Sequence, residues 1–165
     1  MKNLWRLCAV VLTVKLMLWA TASNSEQLYE EDPDLYCLAQ NVYHEARGDN
    51  LAGKIAVSLV VLNRVESAKF PDTVCEVIYQ GPTDNRGVPL RDKCQFSWWC
   101  DGRSDEPTNA KAWSNALDVA MYVLEGADDF TEGATHYHAF YVKPYWSDSL
   151  HFIGPIGQHI FYRWD

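Results

Sequence analysis

The stretch DPDLYCLAQNVYHEARG, residues 32–48, decides the fold class. Asp32 is placed to cap a helix whose first turn holds Pro33, where a missing N–H leaves no bond unmade. Leu35, Leu38, Ala39, Val42 and Ala46 recur at helical spacing as one apolar stripe, and Gly48 ends the pattern. A helix with such a stripe needs partners, and the following residues supply them. Asn50 can cap a second helix from Leu51 to about Ser67. Ile55, Ala56, Leu59, Val60, Leu62 and Val65 make that helix apolar nearly all round, so it is expected to be central. Its β-branched content would also suit a strand, but its length favours a helix.

Working outward, Pro71-Asp72 opens a short third helix through Val77, and Gly, Pro, Asp and Asn punctuate a loop from Gly81 to about Lys93. A long helix begins near Pro107 and stops at Gly126. Its stripe is Trp113, Ala116, Leu117, Ala120, Met121 and Leu124. Beyond it, Ala134 to Val142 and Gln158 to Trp164 are aromatic and β-branched with period-two character, which predicts two short strands joined by a loop. The expected class is α+β, mainly helical, with a small C-terminal antiparallel strand element.

The N-terminal end carries a different message. Residues 1–22 combine a basic start (Lys2, Arg6), an apolar run from Leu7 to Trp19 and a small-x-small site at Ala20-Thr21-Ala22. That is the pattern of a secretory signal peptide cleaved after Ala22. Lys15 leaves the run well short of the roughly 20 apolar residues that span a bilayer, which argues against the alternative of a membrane anchor. Residues 23–33 form an acidic lead-in, and 34–165 the functional domain. No stable membrane span is expected after cleavage, and the expected location is extracytoplasmic, either periplasmic or secreted.

Charge narrows the partners. The whole chain has 14 Lys and Arg against 22 Asp and Glu, for a net charge of -8. All three basic residues of the signal leave with it, so the mature domain is more acidic still. Such a surface repels phosphate backbones, which excludes nucleic acid as a partner. Four cysteines remain after Cys8 is removed: Cys37, Cys75, Cys94 and Cys100. They contain no CxxC spacing, and in an oxidising compartment they suggest two disulfides with three possible pairings. Cys94 and Cys100 flank one short segment and can close a small loop, leaving Cys37 for Cys75. Cys37 lies well around its helix from Leu35, off the expected buried stripe.

Three sets of residues could carry chemistry. Glu45 sits at the end of the first helix on the border of the apolar stripe, one turn beyond Asn41. Apolar surroundings and a helix C-terminus both disfavour a negative charge, so such a carboxyl can keep a proton near neutral pH and act as a general acid. A salt bridge to Arg47 or Arg64 is the plainer alternative. His136 and His138 lie two apart on a strand and face the same way. With His151 or His159 they could ligate zinc, or they could hydrogen-bond in a cleft. His44 is expected to be a surface group favoured by the helix dipole. Finally, Gln95-Phe96-Ser97-Trp98-Trp99 is held between two cysteines. It offers an amide, a hydroxyl and aromatic faces on which sugar rings could stack, although Phe96 and Trp98 could equally be core. No GxSxG, P-loop or Gly-rich dinucleotide turn is present.

Taken together, several blocks resemble the SleB-type cell wall hydrolases, which include the spore cortex-lytic enzymes. They are Tyr43-His44-Glu45-Ala46-Arg47-Gly48, Val60-Val61-Leu62-Asn63-Arg64-Val65 and Phe70-Pro71-Asp72-Thr73-Val74-Cys75, then Cys94-Gln95-Phe96-Ser97-Trp98 and Cys100-Asp101-Gly102. Gly133-Ala134-Thr135-His136-Tyr137-His138 and Ile156-Gly157, with His159 and Phe161-Tyr162-Arg163, complete the series. The resemblance implies a lysozyme- or lytic-transglycosylase-like domain acting on the MurNAc-GlcNAc glycan strands of peptidoglycan, with one catalytic Glu at Glu45. It further implies that Gln95, Ser97, Trp98, His136, Tyr137 and His138 meet the substrate. No cofactor or metal is implied, and a monomer is expected. Two departures stand out: Asp49 occupies a position where the family usually has Glu, and Leu150 to Pro155 looks like a variant loop. A zinc-dependent amidase or peptidase using His136, His138 and a further His with Glu45 as base, and a glycan-binding module without activity, are the rival classes.

Overall fold

The structure is a computed structural model that describes residues 24–165; the secretory signal read over residues 1–22 lies outside them. The acidic lead-in is itself helical, as α1 (Asn24–Glu31). Helix α2 (Pro33–Ala46) follows at once, with the Asp32 carboxylate accepting the Leu35 N–H at 3.0 Å and Pro33 in the first turn. α3 (Leu51–Val65) is capped by Asn50, which accepts the Gly53 N–H. The short α4 (Val74–Ile78) starts two residues beyond Asp72, because the Thr73 hydroxyl supplies the cap. α5 (Ala110–Leu124) starts three residues beyond Pro107, at the Asn109 cap.

α2 is the centre of the molecule. It packs against α1, α3, α4 and α5, so residues all round it are buried, among them Tyr36, Cys37, Gln40, Asn41 and Tyr43. Cys37, expected off the buried stripe, is completely enclosed, because α4 covers that side and Cys75 on α4 forms a disulfide with it. Polar groups enclosed with it find partners, as burial requires, Asn41 Nδ2 apart. The Tyr79 hydroxyl donates to Gln40 Oε1 at 2.7 Å, and Trp98 Nε1 donates to Asn41 Oδ1 at 3.1 Å. α5 lies along α2 through Ala116, Val119, Ala120 and Val123. That face is turned from the expected stripe: Met121 is exposed, and the bulkier Trp113, Leu117 and Leu124 flank the contact. Small and β-branched side chains along the line of contact let the two helices approach closely.

Three strands follow: β1 (His136–Ala139), β2 (His151–Ile156) and β3 (His159–Arg163), antiparallel in the order β1-β3-β2. β1 and β3 are the two strands expected from sequence. β2 falls where a loop was expected, since Gly154 and Pro155 interrupt its alternation. It tolerates them because it is an edge strand with an irregular register between Phe152 and Gly154. The pleat turns Tyr137 and Phe161 toward α3, where Phe161 packs with Ala46, Ala56, Val57 and Val60. It turns His136, His138 and Tyr162 to the opposite face, around Trp146. No helix among the described residues is long and apolar enough to cross a membrane.

Candidate active site

The last turn of α2, the 94–101 loop and the inner edge of β1 and β3 enclose a cavity of about 400 Å³. Glu45, Arg64, Gln95, Ser97, Trp98 and His138 are among its lining. A second cavity of about 140 Å³ adjoins Glu45 on the side of Gly48, Asp49 and Gln158. Glu45 borders both.

The Glu45 carboxyl owes its position to α2 and its chemistry to its neighbours. Burial raises its pKa above the ordinary carboxyl range, against the smaller opposing effects of a hydrogen bond from Tyr137 and the charge of Arg64. The Tyr137 hydroxyl donates to Glu45 Oε2 at 3.2 Å, across 92 residues of sequence. Burial and the adjacent Glu45 hold the Tyr137 phenol well above its usual pKa, so it remains a donor. Among the described residues, no Lys, Arg or His forms an ion pair with Glu45, so the salt-bridge alternative is not realised. Arg47 donates instead to the Tyr43 hydroxyl at 3.0 Å. Arg64 donates through Nε to the Thr135 carbonyl at 2.7 Å and lies against the rings of Phe70 and Phe96. Desolvation lowers the guanidinium to about 10, still cationic at neutral pH.

The 94–101 loop is shaped by the Cys94–Cys100 disulfide and a short 3₁₀ turn over Ser97–Cys100. The turn alternates its side chains. Phe96 and Trp98 go into the core, and Gln95 and Ser97 stay exposed along the cavity. Trp98 therefore does both things the sequence left open: it is buried, and it is among the residues that line the cavity. His44 is not a surface group. Its ring stacks on Trp98 at 4.5 Å between centroids and its Nε2 lies 3.0 Å from the Asp105 carbonyl.

The three β1 residues separate. Tyr137 reaches Glu45, whereas His138 lines the cavity from a strand position whose ring is turned the other way, stacked on Tyr162 with Nε2 3.1 Å from the Tyr162 hydroxyl. His136 does not line the cavity: it is packed among Phe70, Trp146 and Trp164, and burial lowers its pKa to about 4. His159 lies on the inner face beside Tyr137, opposite His136 and His138. The zinc alternative thus lacks a donor set: among the described residues no three His, Cys, Asp or Glu side chains converge to hold a metal.

Asp49 explains itself through its partners. Its buried carboxylate accepts from the Asn50 N–H at 2.7 Å, the Gln158 N–H at 3.0 Å and His159 Nδ1 at 3.2 Å. This pins the β2–β3 turn to the α2–α3 junction. Gly53 and Gly157 close over it so tightly that a Cβ at either would run into the carboxylate, and Gly157 also has φ +58°. Tyr141 is a residue of the site that local pattern does not single out, whereas Arg64, Asp49 and His159 stand there in roles other than the ones local pattern suggests.

The site thus sets one buried carboxyl of raised pKa at the meeting point of two cavities in a mainly helical domain, and comparison with known proteins places the chain in a family. Residues 48–162 match the family model described as Cell Wall Hydrolase, and the chain belongs to that family. The match begins three residues after Glu45. Among solved structures, the catalytic domain of the germination-specific lytic transglycosylase SleB from Bacillus anthracis is similar at 32% identity and a TM-score of 0.59. That alignment covers 80% of this chain and 95% of the other. The SleB catalytic domain from Bacillus cereus aligns at 33% identity and a TM-score of 0.55, covering 79% and 89%. A spore cortex-lytic enzyme of Halalkalibacterium halodurans is 36% identical over 79% of this chain and 34% of its own length. That of Oceanobacillus iheyensis is 32% identical over 84% and 44%. The chain thus spans less than half the length of these curated relatives.

Proposed function

We propose that this protein cleaves the MurNAc-GlcNAc glycan strands of peptidoglycan as a lytic transglycosylase, with Glu45 as its single acid and base. The observation that carries this reading is the contrast between two neighbouring carboxyls. Glu45 has one hydrogen-bond donor and a raised pKa, so it can deliver a proton. Asp49, beside the same smaller cavity, is committed to three donors that hold the fold together. Ordinary glycosidases need a pair of working carboxyls; of Glu45 and Asp49 one is free and the other is a structural pin, while Asp101, a third carboxylate on the wall of the larger cavity, accepts the Arg103 N–H at 2.8 Å.

The steps balance with one residue. Glu45 protonates the glycosidic oxygen as the bond from the MurNAc anomeric carbon to that oxygen breaks. The 6-hydroxyl of the same MurNAc then bonds to the anomeric carbon, and its proton returns to Glu45. The products are a 1,6-anhydro-MurNAc end and a free GlcNAc 4-hydroxyl, and no water is consumed. Tyr137 orients Glu45, while Gln95, Ser97, Trp98 and His138 bind the sugars from the walls of the larger cavity. His136, outside that cavity, supports β1 rather than the substrate. Two disulfides suit an extracytoplasmic location.

Mass spectrometry of muropeptides released from purified sacculi tests the reading. Anhydro-muramic ends are expected, and Glu45→Gln, which keeps shape but loses the proton, should reduce release by about 10²-fold or more. Reducing muramic ends from the wild type, or near-normal activity in Glu45→Gln, would overturn it.

A further inference from the structure

The two cavities flanking Glu45 have more in common than that carboxyl. Ala139, Tyr141 and His159 also border both. Ala139 offers a methyl group, and His159 is buried against Asp49. Tyr141 is different: it is 78% exposed, and its ring meets the edge of Phe140 with centroids 5.3 Å apart. Its backbone is nonetheless well anchored just after β1. The Phe140 N–H donates to the Gln158 carbonyl at 3.1 Å, and the Val142 N–H donates to the Ala139 carbonyl at 2.9 Å. A rigid turn therefore presents a large amphipathic ring to solvent, at the junction where the reacting bond must lie.

The size of the clefts says what such a ring is for. The larger cavity, about 400 Å³, is near the low end of sites that enclose a small ligand, and the smaller, about 140 Å³, is below it. A polymeric strand cannot be enclosed there. It has to lie across the open junction, held from above by whatever faces it. Sugar rings present C–H faces that pack on aromatic rings. Glu45 comes from α2 on one side of the junction and Tyr141 from the turn after β1.

We propose that Tyr141 is a substrate-binding residue whose ring stacks on the pyranose next to the scissile bond, so that the strand runs from the larger cavity past Glu45 into the smaller one. This rests on the glycan-cleaving reading above and adds the direction of the strand and the residue that holds it there. The ring face does the work, not the hydroxyl.

The test separates the two claims by measuring binding apart from turnover. In the Glu45→Gln background, binding of soluble, peptide-free glycan strands is titrated for Tyr141, Tyr141→Phe, Tyr141→Trp, Tyr141→Leu and Tyr141→Ala. Tyr141→Ala and Tyr141→Leu should weaken binding about tenfold, and Tyr141→Phe and Tyr141→Trp should stay within about twofold. In the active protein the same order should appear in kcat/KM on sacculi. Thermal midpoints should be unchanged, since the side chain contributes little to the core. Equal binding by Tyr141→Ala overturns the proposal even if Glu45→Gln is inactive. Tyr141→Phe as weak as Tyr141→Ala also overturns it, by assigning the hydroxyl. Tyr141-dependent binding would uphold it even if Glu45→Gln kept its activity, in which case the catalytic assignment alone would fall.

Discussion

Replacing Asp49 distinguishes a structural pin from a second catalytic carboxylate. Its side chain is about 2% exposed and accepts two long-range hydrogen bonds, from Gln158 N–H and His159 Nδ1, besides the local one from Asn50. Hydrogen bonds to a charged acceptor contribute about 1.5–3 kcal/mol each, and a buried donor left without a partner carries a similar penalty. Gln158 is exposed enough for water to replace part of its loss, whereas His159 is not. Asp49→Ala should therefore lower stability by about 3–4 kcal/mol, a large part of the roughly 5–15 kcal/mol of a small domain. Asp49→Asn can keep one oxygen toward Gln158 and His159 and lose the bond to Asn50, costing about 1–1.5 kcal/mol. Equilibrium urea unfolding followed by tryptophan fluorescence measures both. At a temperature where each variant is folded, Asp49→Asn should retain kcat within a few-fold. The reasoning is refuted if Asp49→Ala costs less than about 1 kcal/mol. It is equally refuted if Asp49→Asn keeps its stability while activity falls by orders of magnitude.

Two further outcomes follow from titration and from loop closure. Burial lowers the pKa of His136 to about 4 and that of His159 below its usual value. Between about pH 6.5 and pH 4 the unfolded chain thus binds protons at these residues that the native state refuses, and stability should fall as pH drops through that window. Glu45, with its raised pKa, acts in the opposite sense, and urea midpoints for His136→Gln should show a flatter decline; an unchanged slope would count against the buried neutral His136. For the disulfides, bridges spanning 38 and 6 residues should contribute about 4 and 2 kcal/mol respectively on chain-entropy grounds. Urea unfolding of the paired Cys→Ser variants should give that order, while only loss of Cys94–Cys100 should raise KM, by loosening Gln95 and Ser97.

What residues 24–165 reveal by sequence alone is whatever depends on near neighbours. The Asp32 and Asn50 caps act over three residues, and they placed α2 and α3 to within about two residues of their ends. Periodicity likewise showed that β1 and β3 are strands, and the position of Glu45 beside an apolar stripe anticipated the direction of its pKa shift. Long-range contacts decided the rest. Tyr137 meets Glu45 across 92 residues, Asp49 meets Gln158 and His159 across 109 and 110, and Arg64 donates to the carbonyl of Thr135, 71 residues away. β2 became a strand because β3 offered an edge to pair with, overriding Gly154 and Pro155. His44 left the surface because Trp98, delivered by a disulfide-closed loop, stacks on it. Local order is written in spacings of three, four and two residues. Which carboxyl is free to work and which is tied down depends on what the rest of the chain brings against it, and only the tertiary packing supplies that.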